Sequence, residues 1–146
     1  MANVTPLHER TYDLVIFGST GFTGSLIAKH LAVAAPKDVK WAITGRSASK
    51  LEKLKGELSN LPDLANNPDI VSFSDRSAQD VVNDTRVVLS VIGPSTLHAE
   101  EFLKLAVEAG TGWVDLNGET AWLKHMILKY GEKAKETGAV VSISRT

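Results

Sequence analysis

A chain of 146 residues, 43% hydrophobic and 23% charged, has the size and composition of one globular domain. Sixteen Lys plus Arg against seventeen Asp plus Glu leave a net charge of −1, so no broad field draws it to nucleic acid or anionic lipid. The lack of cysteine excludes a disulfide framework, a thiolate metal site and a cysteine nucleophile.

Residues 1–11 mix polar and charged side chains without the apolar stretch of a leader, which predicts a flexible arm. No window approaches the roughly 20 apolar residues that span a bilayer, so a soluble cytoplasmic protein is expected. From Tyr12 onward, short β-branched runs alternate with amphipathic stretches. Residues 12–17 predict a strand ended by Gly18. Ile27, Leu31 and Ala34 recur at helical spacing over residues 22–35, until Pro36 stops the helix. Residues 39–44 predict a second strand and residues 47–58 a polar helix. A loop with Pro62, Asn66, Asn67 and Pro68 leads to a third strand at 70–73. Ser77 to Asp80 has capping-box spacing and opens a short helix.

Residues 87–92 form the most apolar run, closed by Gly93-Pro94. A helix over 97–109 stops at Gly110, and residues 113–116 predict a fifth strand. Leu123, Ile127, Tyr130 and Ala134 make one apolar stripe over 119–137, after which Gly138 ends the helix and residues 139–144 read as a sixth strand. Six strands separated by five helices predict an α/β fold: a doubly wound parallel sheet of the Rossmann type, one domain over residues 12–146.

The first strand-to-helix turn reads Gly18-Ser19-Thr20-Gly21-Phe22-Thr23-Gly24. Glycines here allow a tight turn, close approach of backbone to a pyrophosphate, and close packing of helix on strand. The helix start adds unpaired N–H groups and about half a positive charge. All seven residues are candidate cofactor contacts, with Thr20 and Thr23 offering hydroxyls.

A site for NAD(H) places an acidic residue about 20 residues beyond the glycines, on the ribose 2′-OH. This chain has Arg46-Ser47 there, with Lys50 one turn on. A cation and a hydroxyl at a helix start suit a 2′-phosphate, so NADP(H) is expected over NAD(H). Asp75, after the third strand, is a candidate acceptor for the adenine amino group. Gly93 and Pro94, after the fourth, are candidates for close backbone contact with the cofactor. Asp115 to Glu119 ends the fifth strand toward the nicotinamide side, where Glu119 is read as serving the helix dipole rather than as half of a catalytic pair.

His8, His30, His98 and His125 are scattered without ligand spacing, so no metal site is expected. Neither a GxxxxGK[ST] loop nor a G-x-S-x-G elbow occurs. Tyr130 and Lys133 miss the Tyr-x-x-x-Lys spacing by one residue, and Tyr130 belongs to the apolar stripe, so core packing is its expected role.

The segments YDLVIFGSTGFTG (12–24), AITGRS (42–47), VIGP (91–94) and VDLNGE (114–119) together resemble the saccharopine dehydrogenase-like oxidoreductases, a group that includes trans-acting enoyl reductases. The resemblance runs over residues 12–144. It implies the N-terminal NADP-binding domain of a reductase, with Gly18, Gly21, Phe22, Thr23 and Gly24 at the pyrophosphate. It further implies Arg46 and Ser47 at the 2′-phosphate and Gly93-Pro94 at the fourth-strand contact. Relatives are associated with lipid metabolism and some with lipid droplets or membranes. The family usually has Tyr after Gly-Pro and then Tyr-Gly, where this chain has Ser95, His98 and Ala99. The family's C-terminal substrate domain is absent, which is read as a domain truncated or split from its catalytic half. That reading implies a separate substrate-domain polypeptide as partner, little turnover by this chain alone, and no residue assignable as acid or base. The alternative is a non-catalytic NADP-sensing or partner-binding module.

Overall fold

The computed structural model describes residues 4–143. Residues 1–3 of the expected arm and residues 144–146 at the end of the expected domain lie outside them. The elements are β1 (Tyr12–Phe17), α1 (Phe22–Ala34), β2 (Trp41–Gly45), α2 (Ala48–Ser59), β3 (Asp69–Ser72), α3 (Ala78–Asn83) and β4 (Thr85–Ser90). They continue with α4 (Ser95–His98), α5 (Glu100–Ala109), β5 (Gly112–Asp115), α6 (Thr120–Thr137) and β6 (Val141–Ile143). A 3₁₀ turn, Leu7–Glu9, precedes β1.

The six strands form one sheet in the order β3-β2-β1-β4-β5-β6, and every pairing is parallel. The chain winds outward from β1 to β3, crosses back, then winds outward again from β4 to β6. The order therefore reverses between β1 and β4, the point where open α/β sheets bind ligands. Strands covered on both faces need no polar alternation, and Val15, Ile16 and Phe17 are all buried.

Two apolar layers sandwich the sheet. Ile16, Trp41 and Ile43 meet Leu51, Leu54 and Leu58 of α2 and the small residues of α1 on one face. Val15, Phe17, Val88 and Trp113 meet Leu103 and Val107 of α5 and Trp122 and Met126 of α6 on the other. The rings of Phe17, Phe73 and Phe102 pack together, with Phe17 edge-on to both others at 5.2 and 5.3 Å.

Tertiary packing rotates two helices from their expected faces. In α1 the fully buried line is Gly24, Ala28 and Ala32, while Ile27 and Leu31 pack beside it and Ala34 is exposed. Small residues win because they let the helix axis approach the sheet closely. In α6 the buried anchors are Trp122 and Met126; Leu123, Tyr130 and Ala134 flank them and Ile127 is 61% exposed. The expected helix over 97–109 is divided at Ala99 into α4 and α5, and β4 ends at Ser90 instead of running to residue 92.

Within the expected arm, residue 10 is anchored. Arg10 is only 7% exposed. Its guanidinium donates to the carbonyls of Thr5, Thr85 and Ala109 and to Thr111 Oγ1, at 2.6–2.9 Å. One of these acceptors is the last residue of α5, where a cation is favoured by the helix dipole. Burial lowers the Arg10 pKa, an effect opposed by Asp84. A single cation thus fastens the segment before β1 to β4 and to the turn between α5 and β5.

Candidate functional site

The turn from β1 into α1 is built around its glycines. Gly18 has φ of +88°, and a Cβ there would stand 3.1 Å from the Val91 carbonyl. Only glycine adopts that conformation without strain, and here the neighbouring strand exit leaves little room besides. Gly21 N–H donates to the Gly18 carbonyl at 3.2 Å. At Gly24 a Cβ would lie 2.0 Å from the Gly18 oxygen and 2.9 Å from Ser19 Cα. The first helical turn therefore rests directly on the backbone of the preceding turn.

Gly21 is the N-cap of α1 and supplies no side chain to its first N–H groups. Such groups, with the positive end of the helix dipole behind them, are the usual recipients of an anion. Thr20, Gly21, Phe22 and Thr23 are exposed, Phe22 at 84%. The Ser19 side chain is fully buried. Its hydroxyl donates to the Ile16 carbonyl at 2.7 Å and accepts the Thr44 N–H at 3.0 Å, tying β1 to β2. Thr44 Oγ1 donates to the same carbonyl, also at 2.7 Å.

At the end of β2, Ser47 is the N-cap of α2, its hydroxyl accepting the Lys50 N–H at 3.4 Å and lying 3.1 Å from Ser49 Oγ. Arg46 and Lys50 are exposed, and neither forms an ion pair with a described residue. Asp75 is exposed on the turn after β3, held by its N–H to the Ser72 carbonyl at 3.1 Å. Because all strands are parallel, these residues and the glycine turn share one edge of the sheet.

An open cleft of about 280 Å³ lies at the strand-order reversal, lined by Thr23, residues 90–94 and residues 115–119. It brings Gly93 and Pro94, joined by a cis peptide bond, together with the start of α1. Arg46, Ser47, Lys50 and Asp75 sit outside it, at the ends of β2 and β3.

On the β5 side the cleft wall is a chain of turn bonds. Buried Asp115 accepts the Trp113 Nε1–H at 2.8 Å through one oxygen and the Asn117 N–H at 3.1 Å through the other. Asn117 Oδ1 in turn accepts the Glu119 N–H at 2.7 Å. Both Asp115 oxygens are thus engaged in turn bonds, and Glu119 stands at the N-cap of α6, just ahead of the expected first turn. The sequence places Ser90 and Asn117 in segments facing the cofactor, but does not single out their side chains. The alternation Asp115, Asn117, Glu119 was the available signal, since Asx side chains bond backbone two residues on.

Tyr130 is far from free for chemistry. Its hydroxyl donates to Glu100 Oε1 at 2.8 Å, bridging α6 to α5, and Lys129 binds the same oxygen. Burial and then the Glu100 bond push the Tyr130 pKa up, while the Lys129 and Tyr130 bonds hold Glu100 below its ordinary value.

A family model described as the saccharopine dehydrogenase NADP binding domain matches residues 14–141. A lipid droplet localized protein of Caenorhabditis elegans is 36% identical over 135 residues, covering 89% of this chain and 32% of that protein. A trans-acting enoyl reductase of Mycobacterium bovis is 31% identical over 138 residues, covering 93% and 32% respectively. The chain thus spans about a third of the length of these curated relatives. Among solved structures, a short-chain type dehydrogenase/reductase from Mycobacterium ulcerans superposes with a TM-score of 0.59 at 16% identity, over 93% of this chain and 67% of that one, a likeness of fold alone. Among the described residues no helix is long and apolar enough to cross a membrane.

Proposed function

The chain belongs to the family of saccharopine dehydrogenase NADP-binding domains, and from that premise we propose that it holds NADP(H), in preference to NAD(H), as the cofactor domain of an oxidoreductase. The observation that carries this reading is the Gly18–Gly21–Gly24 cradle. It sets the uncapped start of α1 at the strand-order reversal, with Gly24 packed so closely on the Gly18 carbonyl that no side chain fits between helix and turn. The group fits that cradle: α1 N–H donors and dipole suit a pyrophosphate. The Arg46 guanidinium and Lys50 suit a 2′-phosphate that an acidic residue would repel. Asp75 is the candidate acceptor on the adenine side, and Gly93-Pro94 the backbone wall beyond the pyrophosphate.

When bound, the dinucleotide supplies a hydride donor or acceptor; the protein supplies orientation and electrostatics. In this chain α1 N–H groups hold the phosphates, the β2 end sets the choice of cofactor, and the β4 and β5 ends wall the other half. Reduction of an enoyl or other lipid substrate and association with a lipid droplet surface are proposed from the names of relatives, and a second polypeptide that presents the substrate is proposed from the family resemblance. Flotation with triolein droplets coated in phosphatidylcholine tests the last point, and a chain that stays in the dense fraction refutes it.

A non-catalytic NADP-sensing or partner-binding role is the second reading. One observation favours it: both oxygens of Asp115, the buried carboxylate on the cleft wall, are already engaged in turn bonds. Titration with NADPH and NADH, followed by the emission of the reduced ring, tests the primary reading. NADPH is expected to bind more tightly, and Arg46→Ala to erase most of the difference, about tenfold or more for a lost charge-assisted contact. Binding of neither nucleotide refutes it.

A further inference from the structure

Two side chains on the cleft wall have polar atoms that are buried and make no hydrogen bond with any described residue: Ser90 Oγ and Asn117 Nδ2. Ser90 is 2% exposed and Asn117 7%. Leaving such a group unpaired costs about 1–3 kcal/mol each, so two at one site need a reason. The position of Asn117 is not accidental, since its Oδ1 is fixed by the Glu119 N–H, which turns the amide nitrogen to the opposite side. Ser90 pairs in register with Phe17 on one side and Asp115 on the other. Both residues therefore stand on the β4–β5 half of the site.

That half is defined by topology. Arg46 and Lys50 place the adenosine 2′-phosphate at the β2 end, and the start of α1 places the pyrophosphate at the reversal. The remaining half of a dinucleotide then extends over β4 and β5, across residues 90–94 and 115–119. It presents ribose hydroxyls and a carboxamide, the complement of one amide donor and one hydroxyl.

We propose that Asn117 and Ser90 recognise the nicotinamide riboside half of the cofactor, Asn117 Nδ2 donating to the carboxamide oxygen and Ser90 Oγ bonding beside it. This rests on the dinucleotide reading above and adds the residues that position the reactive ring. Both atoms are buried on residues that line the cleft, so contact requires the turn at 116–118 to give slightly.

The test compares NADPH with adenosine 2′,5′-bisphosphate, which has the 2′-phosphate but no nicotinamide, by calorimetric titration of the full chain. Two variants are used: Asn117→Asp, which retains the acceptor for the Glu119 N–H but loses the donor, and Ser90→Ala, which removes a hydroxyl the fold does not use. Each is expected to weaken NADPH binding by about five- to tenfold, the worth of one hydrogen bond, and to leave the bisphosphate unchanged. If Asn117→Asp folds poorly, as thermal melting will show, Ser90→Ala carries the decision. NADPH affinity unchanged in a folded variant, or both ligands weakened equally, overturns the assignment while leaving the cofactor reading intact. Wild-type chain that binds neither probe overturns the cofactor reading, and this one with it.

Discussion

Gly24→Ala is the sharpest test of how the cradle is built. The added Cβ would stand 2.0 Å from the Gly18 oxygen, 2.8 Å from the Gly18 carbonyl carbon and 2.9 Å from Ser19 Cα. These distances fall roughly 1 Å or more short of van der Waals contact, and all three atoms are backbone, so no side chain can swing away. Either α1 lifts from the turn, loosening the Gly24–Ala28–Ala32 contact with the sheet, or Gly18 leaves its left-handed conformation and moves against Val91. Both routes put the cost near the upper end for overpacking, about 3 kcal/mol. For a chain of this size that is a fall in melting temperature of about 6–12 °C. NADPH affinity should fall about tenfold or more, because the same shift moves the α1 N–H donors. Gly21→Ala is the control: its Cβ meets only the Gly18 oxygen at 3.4 Å, and its φ of −74° suits alanine. Thermal melting and NADPH titration of both variants provide the measurement. If Gly24→Ala keeps wild-type stability and affinity, the argument from close packing fails.

Two further predictions concern the frame around the site. Arg10→Met should cost about 3 kcal/mol or more, since buried acceptors at Thr85, Ala109 and Thr111 lose a charged donor; urea unfolding at neutral pH measures this, and a change near zero shows that the arm is not held by Arg10. The chain has two tyrosines, and both are shifted upward, Tyr12 to about 12 by burial and its bond to Asp69. A raised folded-state value means the stabilisation is complete below the unfolded value near pH 10 and is lost as pH rises toward 12. Absorbance at 295 nm should therefore show little phenolate at pH 10 in the native chain and a normal transition in urea, and an ordinary tyrosine titration in the native chain contradicts the Tyr12–Asp69 geometry.

Local chemistry is written plainly in this sequence. A glycine after the first and fourth strand runs, a capping serine before α2 and α3, and helical apolar spacing are all properties of a few neighbouring residues. They locate the strands, the alternation and the nucleotide turn without reference to the rest of the chain. Arg46 at the second strand end is legible for the same reason, because the position after that strand is counted along the chain.

What neighbours in space decide is not written locally. Periodicity marks α1 as amphipathic, but only contact with the sheet selects Gly24, Ala28 and Ala32 over Ile27 and Leu31 as the innermost line. Ser19 sits among phosphate-binding candidates by position, yet its hydroxyl is taken by Ile16 and Thr44, a partner 25 residues away. Arg10 looks like an arm residue until its acceptors arrive from β4, the end of α5 and the turn that precedes β5. Asn117 and Ser90 become neighbours of one cleft only when β4 and β5 pair. The sequence alone determined the kind of fold and the kind of turn, because both depend on short-range backbone preferences. The tertiary structure decided which polar groups are already satisfied and which remain available, because hydrogen-bond partners and burial come from residues distant in the chain.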